Sequence, residues 1–160
     1  MSEEEPQKTK ISGVGAVIAA AARVEAEAAL RTNLLSLGTT RTRHVGSDPN
    51  PEKYDPDLWT DEYAFLNKPG EADIQSDLFY DYRTNVDAYP KWQAWMQKTQ
   101  PRLLVLWGKY DLSFELTEPE AYRRDVPKAQ VHVLDAGHFA LDTAADEIAD
   151  LIRRFMSNKQ

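Results

Sequence analysis

Two apolar runs in the last third of the chain predict β-strands. The first, residues 103–107, is uninterrupted and lies between Pro101 and Gly108. A continuous run of this length is typical of a strand buried on both faces, as in a parallel sheet. The second consists of Val131, Val133 and Leu134, is interrupted by His132, and opens after Pro127.

Each predicted strand is followed by a helical pattern. Residues 117–125 predict a helix between the strands, and Thr143 and Asp146 predict a capping box at the start of the last one. Apolar residues of the last helix recur at i, i+3, i+4 and i+7, on one face: Ile148, Leu151, Ile152 and Phe155. The order strand, helix, strand, helix predicts parallel pairing and a right-handed crossover.

The middle of the chain carries short helical patterns rich in aromatic residues. Residues 58–67 predict a helix that ends at residues 68–70, and residues 74–86 predict a second. Pro90 interrupts this pattern, and residues 92–96 predict a third helix. Such a set of small helices suits a helical subdomain that lies over a pocket.

The N-terminal part is less regular. Residues 1–10 are polar and are expected to be disordered. Residues 14–35 predict an amphipathic helix whose apolar face is mostly alanine. Residues 38–58 are interpreted as a loop, because glycine and proline break regular structure there.

The composition is that of a folded, acidic protein. The chain has 160 residues, 42% of them hydrophobic, and a net charge of −7. An acidic surface disfavours binding to nucleic acid. The local basic cluster of Arg41, Arg43 and His44 is interpreted as part of a solvated loop. Cysteine is absent, which excludes disulfides, zinc–thiolate sites and a cysteine nucleophile.

No apolar run approaches the roughly 20 residues that a membrane-spanning helix needs. The short apolar stretch at residues 14–22 follows acidic residues 3–5, whereas a secretory signal begins with cationic residues. We therefore expect a cytoplasmic protein that binds no membrane.

Asp111 and His138 are the candidates for catalysis, because each follows a predicted strand. Ligand sites in parallel α/β sheets lie at the carboxyl ends of the strands, where neighbouring strands end at one edge. A carboxylate there can accept the Nδ1 proton of an imidazole, which fixes the tautomer needed for a general base. The structural alternative stays open: Asp111 can form an Asx-turn, and His138 can bond a backbone carbonyl.

The residues around both candidates resemble a known family. Residues 100–111, QPRLLVLWGKYD, resemble the acid-bearing strand of the α/β-hydrolase superfamily, and residues 131–140, VHVLDAGHFA, resemble its histidine loop. Residues 77–92 resemble cap-domain sequence of bacterial and fungal relatives. The likeness is to the branch that includes haloalkane dehalogenases and epoxide hydrolases.

This resemblance implies an α/β fold class, namely part of an α/β-hydrolase. It implies a helical cap-like segment at residues 41–100, then the last two parallel strands with their helices at residues 101–160. Residues 1–40 would precede them as a disordered or Ala-rich helical segment. It also implies that Asp111 is the catalytic acid, that His138 is the base, and that no metal or cofactor takes part. The substrate would be a small apolar ester, epoxide or haloalkane.

The family's nucleophile has no counterpart in this sequence. It should lie on a strand–turn–helix elbow with small residues two positions to either side. Ser36 has Leu34 before it and Ser12 has Lys10, so neither qualifies. The chain is thus expected to lack about the first half of the fold and to be inactive alone, with the nucleophile supplied by a longer parent protein or by a second chain. The alternative is a non-catalytic remnant or binding module, which associates through an exposed sheet edge, for instance as a homodimer.

Several weaker patterns receive no functional role. Residues 13–15 lack the third glycine of a dinucleotide-binding fingerprint. The acidic stretch 48–57 contains prolines that break calcium-loop spacing, and it is interpreted as a solvated loop. His132 is interpreted as a surface or helix-packing residue. The tryptophans are assigned to packing in the core and the cap: Trp59, Trp92, Trp95 and Trp107.

Overall fold

The computed structural model describes residues 30–158. The elements, in chain order, are α1 (Leu37–Val45), α2 (Asp57–Leu66), α3 (Glu71–Asp81), α4 (Arg83–Thr99), β1 (Leu104–Gly108), α5 (Glu118–Asp125), β2 (Gln130–Leu134) and α6 (Leu141–Ser157). A π-helical turn at Leu30–Leu34 precedes α1, and a 3-10 turn at Pro51–Lys53 precedes α2. Most of the helix predicted over residues 14–35 lies outside the described residues.

The two strands pair in parallel, as their order with the helices predicts. Val105 lies opposite Val131, and Trp107 lies opposite Val133. In the described residues the sheet has these two strands, and the rest of the unit is mostly helical. Burial of β1 is only partial on both faces: Val105 is buried and Trp107 half-buried on one face, and Leu104 and Leu106 are half-buried on the other.

The hydrophobic core lies between β2 and α6. Its buried members are Leu134, Ala136, Ala144, Ile148 and Leu151. The apolar stripe predicted for the last helix is therefore confirmed in its centre, although Ile152 is 45% exposed. Burying such a stripe against a strand supplies most of a helix's stability in a folded protein.

The predicted capping box at Thr143 and Asp146 is wrong. α6 begins at Leu141, and no side chain caps it. The amide of Ala144 donates to the carbonyl of Ala140 at 3.0 Å, so a first turn has formed ahead of Thr143. Ala144 then departs from helical dihedrals, with φ −127° and ψ 23°, and the helix is kinked there.

The loop predicted over residues 38–58 is also wrong, because α1 occupies its first part. Ser36 is the N-cap: its backbone is extended, and its Oγ accepts from the amide of Thr39 at 3.2 Å. This bond satisfies one of the amides that a helix start leaves unpaired. Gly38 falls inside the first turn, and Gly46, at φ 62°, ends the helix instead.

The cap-like helices agree with the sequence only in part. α2 confirms the helix predicted over residues 58–67, but the helix predicted over residues 74–86 is divided at Tyr82 between α3 and α4. α4 runs through Pro90, where a break was predicted. Proline removes one intrahelical hydrogen bond. Pro90 is exposed, so solvent can satisfy the carbonyl that loses its partner.

Two tryptophans of this segment do not pack as assigned. Trp92 is 45% exposed and Trp95 is 56% exposed. Both lie on α4. Other large apolar side chains of the segment, on α2 and α3, are also exposed: Phe65, Ile74 and Leu78. None of the helices within residues 30–158 is both long and apolar enough to cross a bilayer.

The close approach of the two strand ends gives a test of the fold. A Cβ on Gly108 would lie 1.9 Å from the carbonyl oxygen of Gly137, which is backbone and cannot swing away. We expect Gly108→Ala to lower the free energy of unfolding by about 1–3 kcal/mol or more in urea denaturation. Gly38→Ala is the control, because its Cβ would meet only the Oγ of Ser36 at 4.0 Å. Alanine favours a helix, so that variant should gain about 0.5 kcal/mol; equal losses in both would contradict this account.

Candidate active site

The loops that follow β1 and β2 leave the sheet side by side. Beyond the last strand residues, the amide of Lys109 donates to the carbonyl of Leu134 at 2.9 Å. The amide of Tyr110 donates to the carbonyl of Ala136 at 3.0 Å. Backbone pairing thus continues into both loops and sets the spacing between the residues that follow.

Asp111 uses each carboxylate oxygen for a different purpose. Its Oδ1 accepts from the amides of Ser113, at 2.6 Å, and Phe114, at 3.2 Å. Its Oδ2 lies 2.9 Å from Nδ1 of His138. The side chain of Asp111 is 6% exposed, so the carboxylate is held in one orientation. The turn and the histidine contact, which the sequence left as alternatives, occur together.

His138 is held by this carboxylate and by aromatic rings. The ring of Phe114 lies 5.6 Å from the imidazole, centre to centre, and that of Phe139 lies 4.8 Å from it at 68°. Phe114 in turn packs against Trp107 at 5.9 Å. These aromatic neighbours of the imidazole were not singled out from the sequence, where they look like ordinary core residues.

The hydrogen bonds determine which nitrogen of His138 is available. An ionised carboxylate only accepts, so Nδ1 is the donor to Asp111 and Nε2 carries the lone pair. Among residues 30–158, Nε2 has no hydrogen-bond partner, and the side chain is 26% exposed. A histidine oriented in this way can take a proton from a group placed at Nε2.

A second carboxyl group lies close to the pair. Burial raises the pKa of Glu118, the amide of Glu115 lowers it, and the negative charges of Glu115 and Asp111 raise it. The net direction is upward. An upward shift is the direction expected for a carboxyl group that is partly buried beside other negative charges.

The acidic stretch at residues 48–57 is not uniformly solvated, and Asp48 corrects that interpretation. Its side chain is 1% exposed and lies 2.6 Å from Nζ of Lys53. It also accepts from the hydroxyl of Tyr54 and from the amide of Asn50, each at 2.9 Å. Lys53 reaches the carbonyl of Asp135 at 2.8 Å, so this network is tied to the loop that carries His138.

The basic cluster is not a solvated loop either. Arg41, Arg43 and His44 lie on α1, and His44 is buried. Its Nδ1 is 2.7 Å from Oδ2 of Asp142, and its Nε2 is 2.9 Å from Oε2 of Glu62. These partners are 98 and 18 residues away in sequence, so no local pattern could reveal them.

Ser36 does not lie on a strand–turn–helix elbow. Ser36 is the N-cap of α1, and its hydroxyl donates to the carbonyl of Asn33 at 3.1 Å. Ser12 lies outside the described residues. No group of three or more His, Asp or Glu side chains in residues 30–158 is arranged to hold a metal ion.

A mostly helical α/β unit with two parallel strands, and a carboxylate–histidine pair where those strands end, is compatible with part of an α/β-hydrolase. The chain is similar to an uncharacterized hydrolase of Saccharomyces cerevisiae, with 39% identity over 111 residues, or 69% of this chain. It is 33% identical over 66 residues, 41% of this chain, to a poly(3-hydroxyalkanoate) depolymerase of Ectopseudomonas oleovorans. It is 36% identical over 94 residues, 58% of this chain, to a cis-3-alkyl-4-alkyloxetan-2-one decarboxylase of Shewanella oneidensis.

These relatives suggest the α/β-hydrolase superfamily and support a general hydrolase function. The matched regions span 38%, 23% and 26% of the three relatives' own lengths, so each match covers only a part of those proteins. No protein-family model matches the chain.

The two roles of the Asp111 carboxylate can be tested by Asp111→Asn. The amide oxygen must stay with the two backbone N–H groups, which turns the amide NH₂ towards His138. His138 should then accept at Nδ1 and carry its proton on Nε2. We expect ¹⁵N NMR of the imidazoles to record this tautomer exchange. The signals of His44 and His132 serve as internal controls, and an unchanged His138 tautomer would refute the assignment.

The Asp48 network predicts a dependence of stability on pH. Burial raises the pKa of Asp48, but hydrogen bonds from Lys53, Asn50 and Tyr54 lower it, and the net pKa is below its ordinary 3.8. Its stabilising contribution is therefore complete above about pH 4 and is lost as the pH falls through the folded-state pKa. We expect the free energy of unfolding to fall in acid, and Asp48→Asn to weaken that dependence. Asp61→Asn, at an exposed position of α2, should leave it unchanged.

Proposed function

We propose that the protein is a hydrolase of the α/β-hydrolase type in which His138 is the general base and Asp111 is its orienting acid. The observation that carries this proposal is the 2.9 Å contact between Nδ1 of His138 and Oδ2 of Asp111, with Oδ1 held by backbone amides. This contact leaves Nε2 of His138 as the proton acceptor. The substrate class is an ester, epoxide or haloalkane, as the resemblance of residues 100–111 and 131–140 implies.

Two chemical routes are consistent with this pair. With a hydroxyl nucleophile, Nε2 takes the hydroxyl proton as the oxygen attacks the substrate, and the imidazolium later returns it to the leaving group. With a carboxylate nucleophile, a covalent ester forms first, and Nε2 takes a proton from the water that hydrolyses it. In both routes the charge on Asp111 stabilises the imidazolium.

The nucleophile is proposed to come from a longer form of this chain or from a complementing chain. The oxyanion-hole donors would come from the same source. The intact mass of the native protein separates these sources: a mass above 18.2 kDa directs the search to further residues of the same chain, and a mass of 18.2 kDa directs it to a partner.

The surroundings of His138 favour an apolar substrate. Phe114 and Phe139 lie against the imidazole, and Leu112, in the acid-bearing loop, is 61% exposed. Leu141, just after the histidine loop, is 66% exposed. Apolar walls with few polar groups are typical of small-molecule sites.

We place the protein in the cytoplasm, as its sequence predicts.

The second candidate function is association without catalysis. It is favoured by the sheet edges that residues 30–158 leave unpaired and by Val133, which is 50% exposed on β2. Exposed edges and apolar side chains promote contacts with another chain. In this case the contact between Asp111 and His138 would only stabilise the two loops.

Substitution of His138 separates the two functions. We expect His138→Ala, in the native protein with its nucleophile, to lower kcat by about 10⁴-fold or more, because nucleophile, base and acid act as one unit. Activity is measured on p-nitrophenyl esters, on styrene oxide and on haloalkanes. His132→Ala, on β2, is the matched control and should retain activity. Full activity in His138→Ala, or none in any form of the wild-type protein, would favour association.

A further inference from the structure

The strongest feature that the proposed base and acid leave unused is a second histidine between two carboxylates. His44 lies in the last turn of α1, with its side chain 8% exposed. Glu62 lies on α2, and Asp142 lies in the first turn of α6, four residues after His138. The three side chains join the first helix, a cap-like helix and the end of the histidine loop.

We infer that His44 is a positioning residue for His138. Held between Glu62 and Asp142, it fixes the loop at residues 137–142 that presents the imidazole of His138 to Asp111. This inference rests on the proposed function, because positioning concerns the catalytic use of His138. The contacts themselves are independent of catalysis.

The loop contacts His44 on both sides of His138. On one side, the backbone of Gly137 lies so close that a Cβ there would be 2.0 Å from the carbonyl oxygen of His44. On the other side, the ring of Phe139 lies 4.7 Å from the imidazole of His44 and 4.8 Å from that of His138. The amide of Asp142 also donates to the carbonyl of Phe139 at 2.9 Å, which closes the turn.

The hydrogen bonds also fix how many protons the cluster holds. Each ring nitrogen of His44 faces a carboxylate oxygen, at 2.7 Å and 2.9 Å, and each contact needs one proton. A neutral imidazole with two ionised carboxylates provides only one. Arg43 lies 2.5 Å from the other oxygen of Glu62 and donates to it. With both carboxylates ionised, both ring nitrogens of His44 donate, and the cluster holds two cations, Arg43 and His44, and two anions.

Charged and aromatic groups face His44 from each of the elements packed against it. α1 contributes Arg43, α2 contributes Glu62 and the ring of Trp59 at 6.4 Å, and α6 contributes Asp142. The histidine loop contributes the ring of Phe139. A neutral His44 would place a lone pair against one of the carboxylates, and the tie to α2 or to α6 would be lost.

Imidazole NMR of the full chain tests the inference without any activity assay. In the wild-type protein at pH 7 we expect both nitrogens of His44 to carry protons and the Nδ1 proton of His138 to be protected from solvent exchange. If one nitrogen of His44 is unprotonated, the inference is wrong. This NMR measurement uses the wild-type protein, so its outcome does not depend on whether a variant folds.

Asp142→Asn tests the coupling between the two histidines. The amide lets His44 become neutral, and the loop loses its charged anchor. We expect the Nδ1 proton of His138 to exchange with solvent about tenfold faster or more, because a charge-assisted hydrogen bond is lost. Asp150→Asn is the matched control, on the same helix but 61% exposed and paired only with Arg153. Unchanged exchange in Asp142→Asn would overturn the inference.

Kinetics in the active native protein then separate this inference from the proposed function. Positioning predicts a lower kcat with little change in KM for Asp142→Asn, and wild-type values for Asp150→Asn. If no hydrolysis occurs but His138 exchange responds to Asp142→Asn, the proposed function fails and the coupling stands. If hydrolysis occurs and Asp142→Asn alters neither kcat nor exchange, the coupling fails and the proposed function stands.

Discussion

The buried carboxylate of Asp111 is the constraint on which the candidate site depends. A charge at 6% exposure is costly unless it is fully hydrogen-bonded. Two backbone amides and one imidazole meet that need, and they come from two different loops. Satisfying the charge therefore forces the loop after β1 to close on itself and the loop after β2 to lie beside it. The geometry of the carboxylate–histidine pair follows from the cost of burying one charge.

The loops can meet that demand because their backbones approach each other where side chains would interfere. A Cβ on Gly46 would lie 1.8 Å from the carbonyl oxygen of Tyr110, and one on Gly137 would lie 2.0 Å from that of His44. The amide of Ser47 donates to the carbonyl of Tyr110 at 3.0 Å, which closes the contact between these two loops. The ends of α1, β1 and β2 are thus packed backbone against backbone. Such contacts have little freedom to relax, so the position of His138 is determined by three segments together.

The sequence predicted those features that local patterns control. An apolar run of five residues is enough for a strand, and the order of elements is enough for parallel pairing, so the adjacency of Asp111 and His138 could be anticipated. The first helix was missed because Gly38 was taken as a break, whereas a glycine inside the first turn is tolerated once Ser36 caps the helix. The continuity of α4 through Pro90 was missed for a similar reason. Proline removes one intrahelical hydrogen bond, and a helix can continue through it where the surroundings are exposed to solvent.

The sequence could not predict which charged side chains are buried. Asp48 and His44 look like members of solvated charged stretches, and each is buried because its partners come from elsewhere. The partners of His44 are 18 and 98 residues away, and Lys53 joins Asp48 to the carbonyl of Asp135, 82 residues further on. No periodicity or spacing connects such positions. Three-dimensional packing alone identifies which charges are paired.

The same packing distinguishes the two carboxylate-bound histidines from each other. Both nitrogens of His44 face carboxylate oxygens, at 2.7 Å and 2.9 Å, so neither is open to a substrate. One nitrogen of His138 is engaged, and within the described residues the other is free on a partly exposed ring. A histidine with one fixed and one free nitrogen can act as a base, and one with both fixed can only hold structure in place. The division of labour between the two therefore follows from hydrogen-bond valency, even though both have a carboxylate as a neighbour.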